Sequence, residues 1–187
     1  MKILHESDFA HVGKGTCDFR KDQIADSAKF RKGYDDLKNI VHAEEMPFEQ
    51  SPDGLLKHLM HERLLTKECC IEAYMQFIPG GGRTGKHRHM WEEVVFVAEG
   101  RGYDLHWDLK FECLDAFAWD WEEEPKTCEW SRGDFIYIPP FSIHQHFNLD
   151  PNAEARLVVI SNRIVRAMGF DWLDQLENAP GYEGKRG

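Results

Sequence analysis

The sequence predicts an all-β protein, a sandwich or a closed barrel, from two observations. Hydrophobicity alternates with a period of two over residues 71–77, and a Pro-Gly-Gly-Gly turn follows, which is the pattern of a strand that runs into a turn. Further short strand candidates are each bounded by Gly, Pro, Asp or Asn, and they lie at residues 92–98, 102–108, 135–138, 143–148 and 156–161. Many short strands at regular spacing are typical of sandwiches and barrels.

We expect three segments along the chain. Residues 1–68 are predicted to form a helical and loop extension that packs on the barrel, residues 69–163 the barrel, and residues 164–187 a C-terminal helix with a flexible tail. Apolar positions within residues 19–41 recur at roughly helical spacing. The leucine-rich residues 55–60 are interpreted as one apolar stripe of a further helix.

Composition excludes several classes of protein. The 187-residue chain can bury a continuous core, and 23 basic against 33 acidic side chains give it a net charge of −10. An acidic chain is a poor partner for nucleic acid, because binding to a phosphate backbone needs a basic surface. Five cysteines without a CxxC pair favour reduced thiols over a disulfide framework. Because we see neither a signal-like segment nor a long apolar run, we expect a cytoplasmic protein with no membrane partner.

Histidines and one carboxylate are spaced as ligands of a metal ion. His87 and His89 are two residues apart, so in a strand both side chains point to the same face. Glu93 can join them from the start of the next strand, and His144 lies in another predicted strand. Neutral imidazoles with one carboxylate suit a divalent first-row metal and leave positions open for water or substrate. The sequence therefore predicts a centre for one divalent ion.

These residues resemble the two conserved motifs of the cupin superfamily. The first motif is matched at Gly81, His87, His89, Glu93 and Gly100, and the second at Gly133, Pro139, His144 and Asn148. Phe141 stands where the second motif has another glycine, so we expect a differently shaped turn before His144. The resemblance covers about residues 70–162. It implies a double-stranded β-helix, the jelly-roll barrel of cupins, with the metal inside near one mouth.

Two further histidines are weighed as site residues. His146 shares the strand face of His144, so it is our candidate catalytic residue, able to orient a substrate or carry a proton. The alternative is a hydrogen-bonded histidine at the rim of the site. For His106 we favour a packing role, because its neighbours Leu105 and Trp107 could equally form the inward set.

Aromatic and basic residues leave alternatives open. The Trp-rich residues 101–132 could form a lid that selects a planar or apolar substrate, or their rings could pack between barrel and extension or across a dimer interface. Some basic side chains could anchor a substrate carboxylate if one of them reaches the pocket, namely Arg83, Lys86, Arg156, Arg163 and Arg166.

We expect an Fe(II) dioxygenase-like oxidoreductase that acts on a small aromatic or carboxylate-bearing substrate. The stretch 84–100 is similar to that of gentisate-type ring-cleaving cupins, and iron is favoured over manganese, zinc or nickel. One alternative is a non-redox lyase, decarboxylase or isomerase, in which the metal acts as a Lewis acid and His146 as an acid or base. Another is a non-catalytic cupin that binds a small molecule. Cupins are often dimers, so a homodimer is expected.

Overall fold

The computed structural model describes residues 18–67, 71–113 and 117–184. The chain divides into two compact units, Met1–Leu37 and Lys38–Gly187. The strands that the structure describes all lie in the second unit, together with the predicted metal ligands.

The first unit contains helix α1 (Phe19–Tyr34), where helical spacing was predicted. The side chains that the structure describes at 18–28 are exposed, and the packing of this extension on the barrel stays a prediction. In the ranges that the structure describes, no helix is both long and apolar enough to cross a membrane. Of the cysteines, Cys128 is free and exposed, whereas Cys17, Cys69 and Cys70 lie outside the described residues.

The second unit is an antiparallel β-sandwich. Its first strands are β1 (Phe48–Ser51), β2 (Gly54–Met60), β3 (Ile71–Ile78), β4 (Lys86–His89), β5 (Glu93–Glu99) and β6 (Arg101–Trp107). The next are β7 (Leu109–Cys113), β8 (Phe117–Trp121), β9 (Lys126–Ser131), β10 (Phe135–Ile138), β11 (Ile143–Asn148), β12 (Ala155–Asn162) and β13 (Leu173–Glu177). A short helix, α2 (Ile164–Ala167), lies between β12 and β13.

Two sheets and one hairpin organise these strands. The first sheet has six strands in the order β1-β2-β3-β12-β5-β10, and the second has five in the order β13-β4-β11-β6-β9. Strands β7 and β8 pair with each other as a separate hairpin. The all-β prediction is confirmed, and the five strands expected after residue 90 are present to within a residue or two of their predicted bounds.

The two sheets bury different kinds of side chain. The six-stranded sheet contributes most of the buried apolar core: Ile78, Val95, Val97, Ile136, Ile138, Ala155, Leu157 and Val159. Trp130 of β9 adds to this core from the other sheet. The five-stranded sheet buries polar side chains instead: His87, His89, Asp104, His106, His144, Gln145, His146 and Asn148. Buried polar groups are costly unless they find partners, so this face is where a functional site is expected.

The prediction of a helix over residues 55–60 is wrong. Gly54 has a φ of +118°, which closes the 51–54 turn into a β1–β2 hairpin, and β2 then pairs with β3. Pairing on both sides outweighs the weak helical pattern, because strand formation depends on tertiary neighbours. The strands of the sandwich therefore begin at Phe48, ahead of the predicted barrel boundary at residue 69.

The predicted C-terminal helix is also mostly absent. Among residues 164–184, Ile164–Ala167 alone are helical, and Gly169 follows with a φ of +83°, a left-handed conformation that commonly ends helices. Leu173 and Gln175 then pair with His89 and His87 of β4, so the chain returns as strand β13. The segment thus adds an edge strand beside the predicted metal ligands.

Candidate metal centre

Strands β4 and β11 bring three predicted ligands together. His87 and His89 have the same parity on β4, and His144 on β11 lies directly opposite His87 in the strand register. All three side chains are buried. One ring nitrogen from each can be chosen so that the three atoms lie within 4.8 Å of one another. The spacing of HxH in a strand is the local reason, since residues i and i+2 share a face.

In two of these rings the Nδ1 atom already has a hydrogen-bond partner. His89 Nδ1 lies 2.7 Å from the carbonyl oxygen of Trp91, and His144 Nδ1 lies 3.0 Å from that of Ser142. Each backbone oxygen accepts a hydrogen bond from Nδ1–H, which leaves Nε2 as a lone-pair donor. The Nε2 atoms of both rings are buried and have no hydrogen-bond partner among the described residues.

Unpartnered buried nitrogens that converge on one point require an explanation, and a bound cation is the simplest. Burial, followed by the neighbouring imidazoles, holds the pKa of His144 well below its usual value, so this ring is neutral as a ligand must be. The histidine triad could therefore bind a divalent metal ion, as the sequence predicted.

Glu93 stands beside the triad at the start of β5. Its Oε1 lies 3.3 Å from His89 Nε2 and its Oε2 lies 3.9 Å from His144 Nε2, while Ser161 Oγ donates a hydrogen bond of 3.0 Å to Oε1. Burial opposes ionisation, but positive charge at His89 and His87, together with the Ser161 hydroxyl, outweighs it and holds the pKa of Glu93 at about 2. Glu93 is thus an anion at the edge of the cluster, and its role as the fourth ligand stays a prediction.

His146 is held by a buried carboxylate. Its Nδ1 lies 2.7 Å from Asp104 Oδ1, which also accepts a hydrogen bond of 2.7 Å from Trp130 Nε1. His106 Nε2 lies 3.4 Å from the other oxygen of Asp104, so His106, and not its neighbours in β6, belongs to the inward set. The arrangement supports the hydrogen-bonded alternative for His146, and its catalytic role stays a prediction.

A cavity of about 330 Å³ opens beside the triad. It is lined by His87, His89 and Glu93 of the cluster, and by residues of the neighbouring strands and turns that include Asp53, Leu56, His58, Met60, Tyr74, Trp91 and Leu173. Sequence reasoning missed the wall from the β1–β2 hairpin, because this segment was assigned to a helical extension. The turn residues at 51–54 were the available signal for a hairpin.

The basic residues considered as substrate anchors lie elsewhere. Among the described residues, no lysine or arginine lines the cavity. These side chains are engaged by acids: Arg83 and Lys86 with Glu177, Arg156 with Glu154, Arg163 with Glu62 and Glu72, and Arg166 with Glu62 and Asp171. A substrate anion in this cavity would therefore depend on the metal and on neutral donors.

The Trp-rich segment packs away from the cavity. Trp121 Nε1 donates to the carbonyl oxygen of Phe141 at 2.8 Å, and the Arg88 guanidinium lies 4.0 Å from the ring centre of Trp121 and 5.0 Å from that of Trp172. Trp130 belongs to the core. None of the described residues of 101–132 lines the cavity, which argues against a lid and for ring packing on the barrel itself.

Phe141 has a left-handed backbone conformation, which glycine adopts more easily than other residues. Its φ is +65°, a left-handed value that non-glycine residues rarely adopt. The ring packs against Trp119 and Trp172, and its backbone N–H donates to the carbonyl oxygen of His89 at 2.8 Å. The expectation of a differently shaped turn stays a prediction.

This strain gives a matched pair of variants. Phe141→Gly and Phe141→Ala both lose the aromatic contacts, but only alanine keeps the left-handed penalty. We expect the alanine variant to be less stable than the glycine variant by about 1 kcal/mol. Urea denaturation of the two proteins measures the difference. Equal stabilities, or a more stable alanine variant, would mean that the turn relaxes to another conformation.

Comparisons with known proteins identify the fold. No protein-family model matches the chain. Oxalate decarboxylase from Bacillus subtilis, determined at pH 4.6, aligns over 75% of this chain and 32% of its own, with 14% identity and a TM-score of 0.56. The formate complex of the Lactobacillus farciminis oxalate decarboxylase aligns over 67% of this chain and 33% of its own, with 12% identity and a TM-score of 0.52.

A third similar structure, of the Bacillus subtilis enzyme, concerns its Mn(II) centres and aligns over 67% of this chain and 30% of its own, with 14% identity and a TM-score of 0.52. The chain thus spans about a third of the length of these enzymes. Oxalate decarboxylase is a cupin, and the antiparallel sandwich with its histidine triad matches one such domain. The described part of the chain therefore has the fold of a cupin domain.

Proposed function

We propose that this protein is a metal-dependent, non-redox enzyme of the decarboxylase, lyase or isomerase class that acts on a small carboxylate-bearing substrate. The observation that carries the proposal is the convergence of buried, unpartnered histidine nitrogens at the wall of a cavity of about 330 Å³. A cavity of this size suits a small organic molecule.

His87, His89, His144 and Glu93 would hold the ion. Such an ion would supply Lewis-acid polarisation of a substrate oxygen. The sequence favoured iron, but manganese is now the first candidate, because a similar structure is described by its Mn(II) centres. Three imidazoles and a carboxylate accept either metal.

Two observations favour the non-redox class over a dioxygenase. The aromatic-rich surround that suggested a planar substrate does not line the cavity in the described part of the chain, where Tyr74 and Trp91 are the aromatic lining residues. The similar structures are decarboxylases. The alternative drawn from the sequence is therefore better supported than its main hypothesis.

The cavity supplies two groups for positioning and proton transfer. Burial, followed by the charges of Glu93 and Asp53, raises the pKa of Tyr74 well above its usual value, so its hydroxyl stays protonated and can donate to a substrate oxygen. His58 also lines the cavity, and its Nε2 lies 2.6 Å from Glu49 Oε2. His58 is thus better placed than His146 for acid–base work, since a candidate acid or base must reach the substrate.

The test begins with metal-free protein loaded separately with Mn²⁺, Zn²⁺ or Fe²⁺. Each form is incubated with a panel of small acids that includes oxalate, malonate and salicylate, while carbon dioxide, product signals and dissolved oxygen are followed. We expect turnover of a carboxylate substrate without net oxygen consumption. Substrate-dependent oxygen uptake by the iron form alone would favour the dioxygenase hypothesis, and tight binding without turnover would favour a binding protein.

Tyr74→Phe probes the proposed hydroxyl donor. We expect the substrate identified above to turn over about 100-fold or more slowly, with metal content unchanged, because a positioned donor typically contributes this much. Tyr137→Phe is the matched control, since Tyr137 is exposed on β10. Unchanged kcat in Tyr74→Phe would remove this residue from the mechanism.

A further inference from the structure

Asp53 lies in the β1–β2 turn, outside both histidine motifs, and is firmly positioned. Its backbone N–H donates to Ser51 Oγ at 3.1 Å. Gln76, buried in β3, donates through Nε2 to Asp53 Oδ2 at 2.5 Å and to the Asp53 carbonyl oxygen at 3.1 Å. One carboxylate oxygen and the local backbone are thereby fixed from the neighbouring strand.

The other oxygen of Asp53 faces the triad. Oδ1 lies 3.1 Å from His87 Nδ1, in an alignment outside the range of a hydrogen bond. Both atoms are buried, and neither has another hydrogen-bond partner in the part of the chain that the structure describes. A buried carboxylate oxygen and a buried ring nitrogen at this distance are each costly to leave unpaired, so a small rotation that joins them is favourable.

The other two triad histidines suggest what this pairing does. His89 and His144 each engage an oxygen through Nδ1 and leave Nε2 for the ion. At His87 the corresponding oxygen is that of Asp53, a carboxylate in place of a backbone carbonyl. Metal-binding histidines generally donate their second N–H to such a group, which fixes the tautomer and the ring orientation.

We propose that Asp53 is a positioning residue of the metal centre, which accepts the Nδ1–H of His87, directs Nε2 of that ring to the ion and adds a second negative charge to the site. The inference rests on the proposed metal-dependent function. Because the imidazoles are neutral, Glu93 alone would give the site one negative charge. Asp53 raises this to two negative charges, which balance the two positive charges of a divalent cation. A carboxylate partner also raises the basicity of the histidine it holds.

The packing of the turn makes the β1–β2 hairpin part of the centre. Gly85, two residues before His87, lies so close to the turn that a Cβ atom would stand 2.7 Å from the Pro52 carbonyl oxygen and 3.0 Å from Asp53 Cα. A side chain at position 85 would therefore displace the turn. The metal centre thus depends on residues ahead of the predicted barrel.

The test uses the full chain and Zn²⁺ as probe. Zinc affinity is measured by competition with a chromophoric chelator for the wild type, Asp53→Asn, Asp53→Ala and the control Glu49→Gln. Glu49 lines the same cavity from β1 but is exposed and bonded to His58. We expect both Asp53 variants to bind zinc about 10–100-fold more weakly, which is the usual cost of losing an outer-sphere partner, and Glu49→Gln to bind it as the wild type does.

A spectroscopic measurement separates positioning from a purely structural role. In ¹⁵N-histidine NMR of the zinc form, the Nδ1–H signal of His87 should appear far downfield in the wild type and move upfield in Asp53→Asn. Asparagine keeps the size and the acceptor oxygen, so a turn-shaping role would leave both signal and affinity unchanged.

Three results would overturn the inference. If both Asp53 variants bind zinc as tightly as the wild type, the metal centre does not need Asp53. Zinc bound through Nδ1 of His87 would show that Asp53 does not set the tautomer. A wild type that binds no zinc would remove the proposed function itself. If Asp53→Ala does not fold, Asp53→Asn alone carries the comparison.

Discussion

Replacing His144 by Ala is expected to remove most of the bound metal. His144 is fully buried, it faces His87 across the β4–β11 pair, and its Nε2 has no other partner among the described residues. Loss of an outer-sphere partner weakens metal binding by up to about 100-fold, and loss of a direct ligand should weaken it further. Elemental analysis of the purified variant and a zinc titration measure the effect.

The matched control is His58→Ala, which removes a histidine from the same cavity without touching the triad. It should keep the metal. His146 is the nearest substitute ligand on β11, because Asp104 holds its Nδ1 and leaves its Nε2 without that partner. Normal metal content in His144→Ala would mean that the ligand on β11 has been misassigned, with His146 as the substitute.

The strands and the triad could be predicted because their signals are local. The HxH spacing in β4 fixes the common face of His87 and His89, and His144 follows from its place in a strand bounded by turn formers. Glu93 could be placed near the cluster from its position at the start of β5. These inferences need only the two-residue period of a strand and the order of the motifs.

The walls of the cavity could not be predicted, because they arise from pairing between distant segments. Leu56 and its neighbours have a pattern compatible with a helix, and only the partners β1 and β3 decide for a strand. Leu173 likewise becomes a strand residue through its pairing with His89. Asp53 enters the site by this route, so nothing in its own sequence context identified it.

Polar partners inside the barrel were equally hidden. The sequence indicated that His146 shares a face with His144, which is correct, but whether it meets a substrate or a carboxylate depends on β6. Strand pairing places His146 opposite Asp104, and the carboxylate occupies its Nδ1. The buried carboxylate of Asp104 thus decides between a catalytic and a structural interpretation of His146.

Replacing Asp104 by Asn is expected to destabilise the protein by about 3–5 kcal/mol at pH 7, the cost of breaking a buried ion pair by removing one partner. Asp104 is completely buried, and its Oδ1 accepts hydrogen bonds from both His146 and Trp130. Asparagine keeps the volume but loses the charge that stabilises the His146 imidazolium. Urea denaturation measures the free energy of unfolding, with Glu129→Gln on exposed β9 as the control.

The pH dependence of this effect follows from the pKa values of the pair. Burial opposes ionisation of Asp104, but His146, His106 and Trp130 more than offset it and lower its pKa from the ordinary 3.8 to about 2. The unfolded chain therefore binds the proton more readily, and the stabilisation is complete above about pH 4 and is lost as the pH falls through 2. The stability gap between wild type and Asp104→Asn should narrow over that interval.

His146 gives the stability of the protein the opposite pH dependence at higher pH. Burial lowers its pKa, but Asp104 outweighs burial and raises the pKa above the usual 6.5. This part of the stabilisation is complete below pH 6.5 and is lost as the pH rises through the raised value. The gap between wild type and Asp104→Asn should thus be widest at mildly acidic pH and narrow in both directions. A gap that does not change with pH would mean that Asp104 and His146 form a neutral hydrogen bond, with no charge on either side chain.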